Sequence, residues 1–299
     1  MNTQLISKTL KSCYSQDLCY PKVKDDWDSE NPTLGMCAIT SLLVHDYLGG
    51  DIAKIKVDGI SHYFNIIEGK IVDFTCEQFS FQLDYSNYHI VDYDTILTEE
   101  CRIRYELLKR KFVNILLEDI DKEINNCQKC LALVEKFPDS NSVHLGINDD
   151  IVLIGEAPAN NGWRKSHKVW HDINGNMLPS GKNLNKLFSY IDRDIMDTTF
   201  LECCKCFPKK RQSLKNCSAN CHDFMKRQLE ILNPKIIVTL GEVPTRIILN
   251  EKFEKFSDVV GNIYEIDGFK VLPLYHPSPI SPLSYKGNVP FIEKLRDFL

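Results

Sequence analysis

Twelve cysteines stand in this 299-residue chain, and seven of them fall in its second half. Cys127-Gln-Lys-Cys130 is a C-x2-C pair. Cys206 and Cys221 follow 15 positions apart, with Cys203, Cys204 and Cys217 crowded around them. Such a pair with two remote cysteines suits a tetrahedral thiolate site, and spacing alone leaves zinc, an iron–sulfur cluster and no metal all open. Relaxed cysteine usage is the bland alternative. Other chemistry sits in three polar loops: Gly155-Glu156-Ala157-Pro158, Gly241-Glu242 and His276-Pro277-Ser278-Pro279. In the first half Cys37 opens a predicted helix, and His62 and Asp73 follow. A thiol at a helix N-terminus is acidified, and a histidine can serve as its base.

The elements that must position these residues divide into two parts. Residues 1–120 hold 12 Lys and Arg against 19 Asp and Glu, a balance of −7; residues 121–299 hold 24 against 22, a balance of +2. Apolar residues three and four apart predict a helix over 98–126, so the boundary is set near 125. The second half alternates: strands at 150–154, 198–204, 235–240 and 270–274, helices at 181–191, 218–232 and 244–249. That order predicts a mostly parallel sheet with helices on both faces, an α/β/α sandwich. In such sheets ligands sit beyond the carboxyl ends of the strands, where all three polar loops fall. The first half predicts a loop and helix over 32–48 and short strands at 52–57, 61–67 and 70–74, an α+β unit.

Apolar residues make up 43 % and charged residues 26 % of the chain, an ordinary globular mixture. The net charge of −5 excludes binding to nucleic acid by bulk charge alone, though not a local basic groove. No export signal is visible at the N-terminus and no apolar run reaches membrane-helix length, so a cytoplasmic protein with reduced thiols and no membrane partner is expected.

The ordered motifs of residues 127–299 resemble the uracil-DNA glycosylase superfamily, nearest its family 4, the iron–sulfur type. They are Cys127/Cys130, Gly155-Glu156-Ala157-Pro158, Lys205-Cys206-x-Pro208, Cys221, the run from Asn233-Pro234 to Gly241, and His276-Pro277-Ser278. The resemblance implies a DNA glycosylase that flips a base out of the helix and leaves an abasic site. It implies that Cys127, Cys130, Cys206 and Cys221 ligate a structural [4Fe-4S] cluster, with zinc as the alternative and Cys203, Cys204 and Cys217 as spares. It assigns His276 to the oxygen of the departing base. Glu156 holds water or only orders its loop, because Ala157 stands where better-known families place a water-activating Asp. Gly155, Ala157, Pro158, Ser180, Gly181, Lys182, Pro277 and Ser278 are expected around the nucleotide.

Glu202 occupies the position where family 4 carries a base-reading Asn. An ionised Glu only accepts hydrogen bonds, which repels uracil O4 and suits the exocyclic amine of cytosine; a protonated Glu still reads uracil. Residues 175–181 carry no aromatic and residues 163–170 are expanded against family 4, which suggests a bulkier base. A modified cytosine, such as those of bacteriophage DNA, is therefore placed slightly ahead of uracil. The alternative is that Glu202 merely pairs with Lys205 or Lys182. Arg164, Lys165, Lys168, Lys182, Lys209, Lys210, Arg211, Lys215 and Lys286 are candidates for phosphate contact.

Residues 10–110 resemble the YunG-like family through Trp27, Asn31-Pro32, Gly35-Met-Cys37-Ala-Ile-Thr40, Ser61-His62-Tyr63 and Val72-Asp73-Phe-Thr75. Cys37, His62 and Asp73 also stand in the order of papain-like and transglutaminase-like folds. The acidic balance argues against direct DNA contact and for an accessory unit that covers the groove or recruits a partner. Two other readings stay open: a sensor of odd bases that does not cut, and a Cys37-His62-Asp73 hydrolase that the second half targets to DNA.

Overall fold

The computed structural model describes residues 1–138, 140–250 and 253–299. Its contacts divide the chain into Met1–Leu116 and Leu117–Leu299. The division falls inside the helix Glu99–Asn126, before the boundary expected near 125.

The first unit is a four-stranded antiparallel sheet with helices. Its strands are β1 Asp51–Val57, β2 Ile60–Ile67, β3 Lys70–Val72 and β4 His89–Val91, in the order β3-β2-β1-β4. Asp58-Gly59 and Glu68-Gly69 turn the two hairpins, all four residues at positive φ, as two-residue turns that match strand twist demand. The helix Cys37–Leu48 buries Ile39, Leu42, Leu43 and Val44.

The second unit carries a two-stranded ribbon, β5 Val134–Glu135 with β9 Phe207–Pro208, and a six-stranded sheet. The sheet strands are β6 Val143–His144, β7 Asn148–Gly155, β8 Thr198–Glu202, β10 Ile236–Leu240, β11 Tyr264–Ile266 and β12 Phe269–Leu274. Their order is β11-β12-β10-β7-β8-β6. The inner neighbours run parallel and both edge strands antiparallel. Every residue of β8 and β10 is buried, as strands covered on both faces must be. Leu153, Leu184, Phe188, Val238 and Leu272 belong to the core on this sheet.

Two expectations need correction. The strand expected to reach Cys204 ends at Glu202, although backbone bonds from Cys203 N to Gly155 O (2.9 Å) and Cys204 N to Glu156 O (3.0 Å) carry the pairing on. The single helix expected over 218–232 is two, Leu214–Asn220 and His222–Leu232, joined at Cys221. The edge strands β6 and β11 are too short to register as an apolar pattern.

Candidate active site

The parallel strands end together. Gly155 of β7 pairs in register with Glu202 of β8, and Leu240 of β10 with Leu274 of β12. The loops that leave these ends line a cleft of about 440 Å³, walled by Gly155, Glu156, Ala157, Pro158, Ser180, Glu202, His276 and Pro277. Its volume lies in the range of small-molecule pockets.

Three residues expected around the nucleotide do not line the cleft. Ser278 N donates to His276 Nδ1 at 3.1 Å. A Cβ on Gly181 would meet the Trp170 Cβ at 2.7 Å, so Gly181 seats that indole. Lys182 is exposed and does not line the cleft.

Since Nδ1 of His276 accepts, Nε2 carries the ring proton. Burial lowers the His276 pKa, which keeps the imidazole neutral and makes it a donor. Its loop is clamped. Buried Asn288 accepts from Tyr275 N at 2.8 Å and donates to Tyr275 O at 2.9 Å, while Asn183 Nδ2 donates to Pro277 O at 2.9 Å. Gly241 has φ +100°, and a Cβ there would lie 3.0 Å from the His276 Cβ. Only glycine adopts that conformation freely and lets the ring come so close.

Glu202 is 1 % exposed. Trp163 Nε1 donates to its Oε1 at 2.6 Å, and its Oε2 has no hydrogen-bond partner. The expected alternative of a lysine pair is not what forms, for Lys205 Nζ donates to the Glu202 backbone carbonyl at 2.5 Å. Burial raises the Glu202 pKa against the opposing pull of Arg164 and Lys205, and burial lowers Lys205 to about 8. Arg164 is not a phosphate ligand: it is 3 % exposed, bonds Asn141 O and Lys205 O, and lies 5.1 Å over the Trp163 ring.

Aromatic surface, missed in the sequence because it comes from three separate segments, is present in the cleft. Trp163, Trp170, Phe200 and Phe207 line it, with Trp170 and Phe200 ring centroids 4.4 Å apart. Trp170 holds φ +60°, an unusual conformation for a bulky side chain that its backbone bond from Leu178 N at 2.7 Å helps fix. At the mouth, Arg211 grips Glu156 with both guanidinium nitrogens, the Nη2 contact being 3.1 Å, and Lys209 stands beside it. Glu156 is thus an ion-paired carboxylate 15 % exposed, while Arg211 is 72 % exposed.

The cysteines converge as well. Cys127, Cys130, Cys206 and Cys221 line one small cavity. Cys204 and Cys217, expected as spares, line it too, whereas Cys203 is turned to Met225 with its sulfur 3.6 Å from the thioether. Lys205 N lies 3.5 Å from Cys221 Sγ, and Asn220 Nδ2 donates to Cys130 Sγ at 3.2 Å. The neighbouring Cys204 thiol lowers the Cys221 pKa, while Cys221 and burial push Cys204 far up. Among the described residues no three Cys, His, Asp or Glu side chains close on a single-ion site. The cavity offers soft thiolate donors, with N–H groups at the sulfurs of Cys130 and Cys221, a donor set that fits a thiolate-held metal group.

In the first unit, Cys37, His62 and Asp73 also come together. His62 Nε2 meets Asp73 Oδ2 at 2.6 Å, and Cys37 lines the same cavity as His62. Among the described residues no helix is long and apolar enough to cross a membrane.

Comparison with known proteins accords with this geometry. The sequence model of the uracil DNA glycosylase superfamily matches residues 144–299, and that described as YunG protein matches residues 2–116. The type-4 uracil-DNA glycosylase of Archaeoglobus fulgidus is 30 % identical over 179 residues, 55 % of this chain and 82 % of that protein. That of Saccharolobus solfataricus is 31 % identical over 171 residues, 54 % of this chain and 76 % of that protein. The uncharacterized protein YunG of Bacillus subtilis is 41 % identical over 61 residues, 20 % of this chain and 53 % of that protein. Through the unit that carries the cleft and the cysteine cavity, the chain belongs to the uracil DNA glycosylase superfamily.

Proposed function

We propose that this protein is a DNA N-glycosylase that hydrolyses the bond between deoxyribose and a flipped-out non-canonical pyrimidine, uracil first. The observation that carries the reading is one aromatic-lined cleft holding the His276 Nε2 donor together with the unbonded Oε2 of Glu202. As the bond breaks, the sugar gains oxocarbenium character and the base leaves as an anion. A neutral, preorganised Nε2–H at the base oxygen stabilises that anion. The Glu156 carboxylate favours the cationic sugar and orients the attacking water. Lys209 and Arg211 take the flanking phosphates, with Arg211 exchanging its carboxylate for one of them. Ile280 is 94 % exposed two residues beyond Ser278, an apolar tip suited to fill the gap left by the extruded base.

Burial favours the neutral form of Glu202. With Oε1 taken by Trp163, the proton sits on Oε2, and Oε2–H donates to the 4-carbonyl of uracil. The names of the glycosylase relatives support the same base. A modified cytosine is the second reading. It rests on the positive charges of Arg164 and Lys205, which pull Glu202 toward an ionised acceptor for an exocyclic amine.

The cysteine cavity would hold a [4Fe-4S] cluster on Cys127, Cys130, Cys206 and Cys221, with Cys204 and Cys217 as close neighbours. Bound there, it would supply a fixed scaffold for the adjoining chain segments rather than electrons. We place the working boundary at residue 125, with 1–125 as an accessory unit and 126–299 as the glycosylase, acting on DNA in the cytoplasm.

The test is a panel of duplex and single-stranded oligonucleotides, each with one uracil, one modified cytosine or neither, treated with the full chain and then with alkali. Strand breaks at uracil support the first reading and breaks at modified cytosine alone support the second. Binding without breaks identifies a sensor and overturns both.

A further inference from the structure

We propose that Cys37, His62 and Asp73 form a second catalytic centre, which hydrolyses a small amide or ester through a thioester on Cys37. The three residues come from different elements. Cys37 is the first residue of the 12-residue helix Cys37–Leu48, His62 lies on β2, and Asp73 follows β3. His62 and Asp73 are 1 % and 4 % exposed, and their bond is 2.6 Å long. Asp73 is fixed in turn by Thr75 N at 2.9 Å and Tyr85 Oη at 2.8 Å.

A buried His–Asp pair alone would be an ordinary structural device. Here a part-exposed thiol, that of Cys37, shares with His62 the lining of a cavity of about 630 Å³. Tyr20, Tyr63 and Phe79 give the cavity apolar walls, and its size suits a small acyl group. Burial opposes a charge on His62, yet its bond to Asp73 and the nearby Cys37 thiol outweigh burial and hold its pKa up at about 9. An imidazolium beside a thiol is the partner a thiolate nucleophile requires. Gln78 lines the same cavity; its amide nitrogen donates to Thr75 O at 2.9 Å and lies 3.3 Å from His62 Nδ1.

The reaction balances with water as the second substrate. Cys37 Sγ bonds to the carbonyl carbon, the C–N or C–O bond breaks, and the leaving amine or alcohol takes a proton from His62. Water then yields a proton to His62 and hydroxide to the acyl carbon, the S–C bond breaks, and the acid departs. Asp73 is a positioning residue, because it acts through His62.

The experiment uses the full chain with p-nitrophenyl acetate, followed by peptide mapping of quenched samples. Release of p-nitrophenolate with the acetyl group on Cys37 is expected. Cys37→Ser and His62→Gln should each lower the rate at least about a hundredfold, within the range of lost nucleophilic and acid–base assistance. Cys76→Ser, which alters a part-exposed thiol outside the cavity, should leave it unchanged. Asp73→Asn should lower the maximal acylation rate and leave half-saturation as it is. Hydrolysis at the full rate by a Cys37→Ser protein with unaltered circular dichroism would overturn the proposal. So would acetyl groups spread over the cysteines regardless of His62. Iodoacetamide labelling of the unmutated chain is the second measurement: preferential alkylation of Cys37 supports the proposal, and uniform labelling counts against it.

Discussion

The indole N–H of Trp163 reaches Oε1 of Glu202 at 2.6 Å, at the floor of a cleft where the second carboxyl oxygen has no partner. The bond fixes which oxygen is left for a ligand. It also ties an aromatic wall of the cleft to the Glu202 carboxyl, so each holds the other in place.

Replacing Trp163 with Phe keeps the aromatic wall and removes that donor. The buried Oε1 then loses its partner, a change that costs about 1–3 kcal/mol. Thermal denaturation should show the loss as a lower midpoint. Excision of uracil should drop about tenfold or more, while discrimination against undamaged cytosine weakens. An unchanged midpoint would show that the bond contributes nothing to stability.

The dependence of excision on pH follows from two groups shifted in opposite directions. Burial lowers His276, so its neutral donor form persists below the ordinary histidine range, and activity is lost only as pH falls through that depressed value. Burial raises Glu202, so its protonated form survives above the ordinary carboxylate range, and uracil excision falls as pH rises through the elevated value. Glu202→Gln, neutral at every pH, should retain uracil activity and abolish the alkaline fall. A fall that persists unchanged in that variant would assign it to another group.

Gly241 and His276 make a steric prediction. A methyl group 3.0 Å from the His276 Cβ, on a backbone with φ +100°, must displace the ring or its loop. Gly241→Ala should reduce excision roughly ten- to a hundredfold, the scale of a misplaced catalytic group, with DNA affinity preserved. Equal loss of affinity and turnover would mean that the whole loop had moved.

The cysteine cavity can be tested by colour and composition. The chain purified without oxygen should be brown and contain iron and sulfide. Cys127→Ser or Cys221→Ser should bleach it and lower its melting temperature. Stoichiometric zinc in a colourless protein would contradict the cluster.

Much of this arrangement is legible in the sequence. Glycine at strand ends, apolar runs and the order of the polar loops are local signals, and they place Gly155, Glu156, Glu202 and His276 at one sheet edge. Contacts between distant segments are not legible in this way. Nothing local marks Asn288 as the clamp on Tyr275, or Trp163 as the partner of Glu202, because each depends on the finished fold. Arg164 misleads for the same reason: it stands among surface lysines in the sequence, and folding turns it inward onto carbonyl oxygens. Cys204 and Cys217 join the cavity only once the helix Leu214–Asn220 is set beside the loop after β8.

Single-turnover excision from a duplex with one uracil, measured for the unmutated chain and for His276→Ala with binding followed in parallel, tests the central claim most directly. The account predicts abasic sites from the former, and a loss of about 10²–10³-fold in the variant with affinity kept, the scale of one removed oxyanion donor. Equal excision by both proteins, or none by either on any base of the panel, would contradict it.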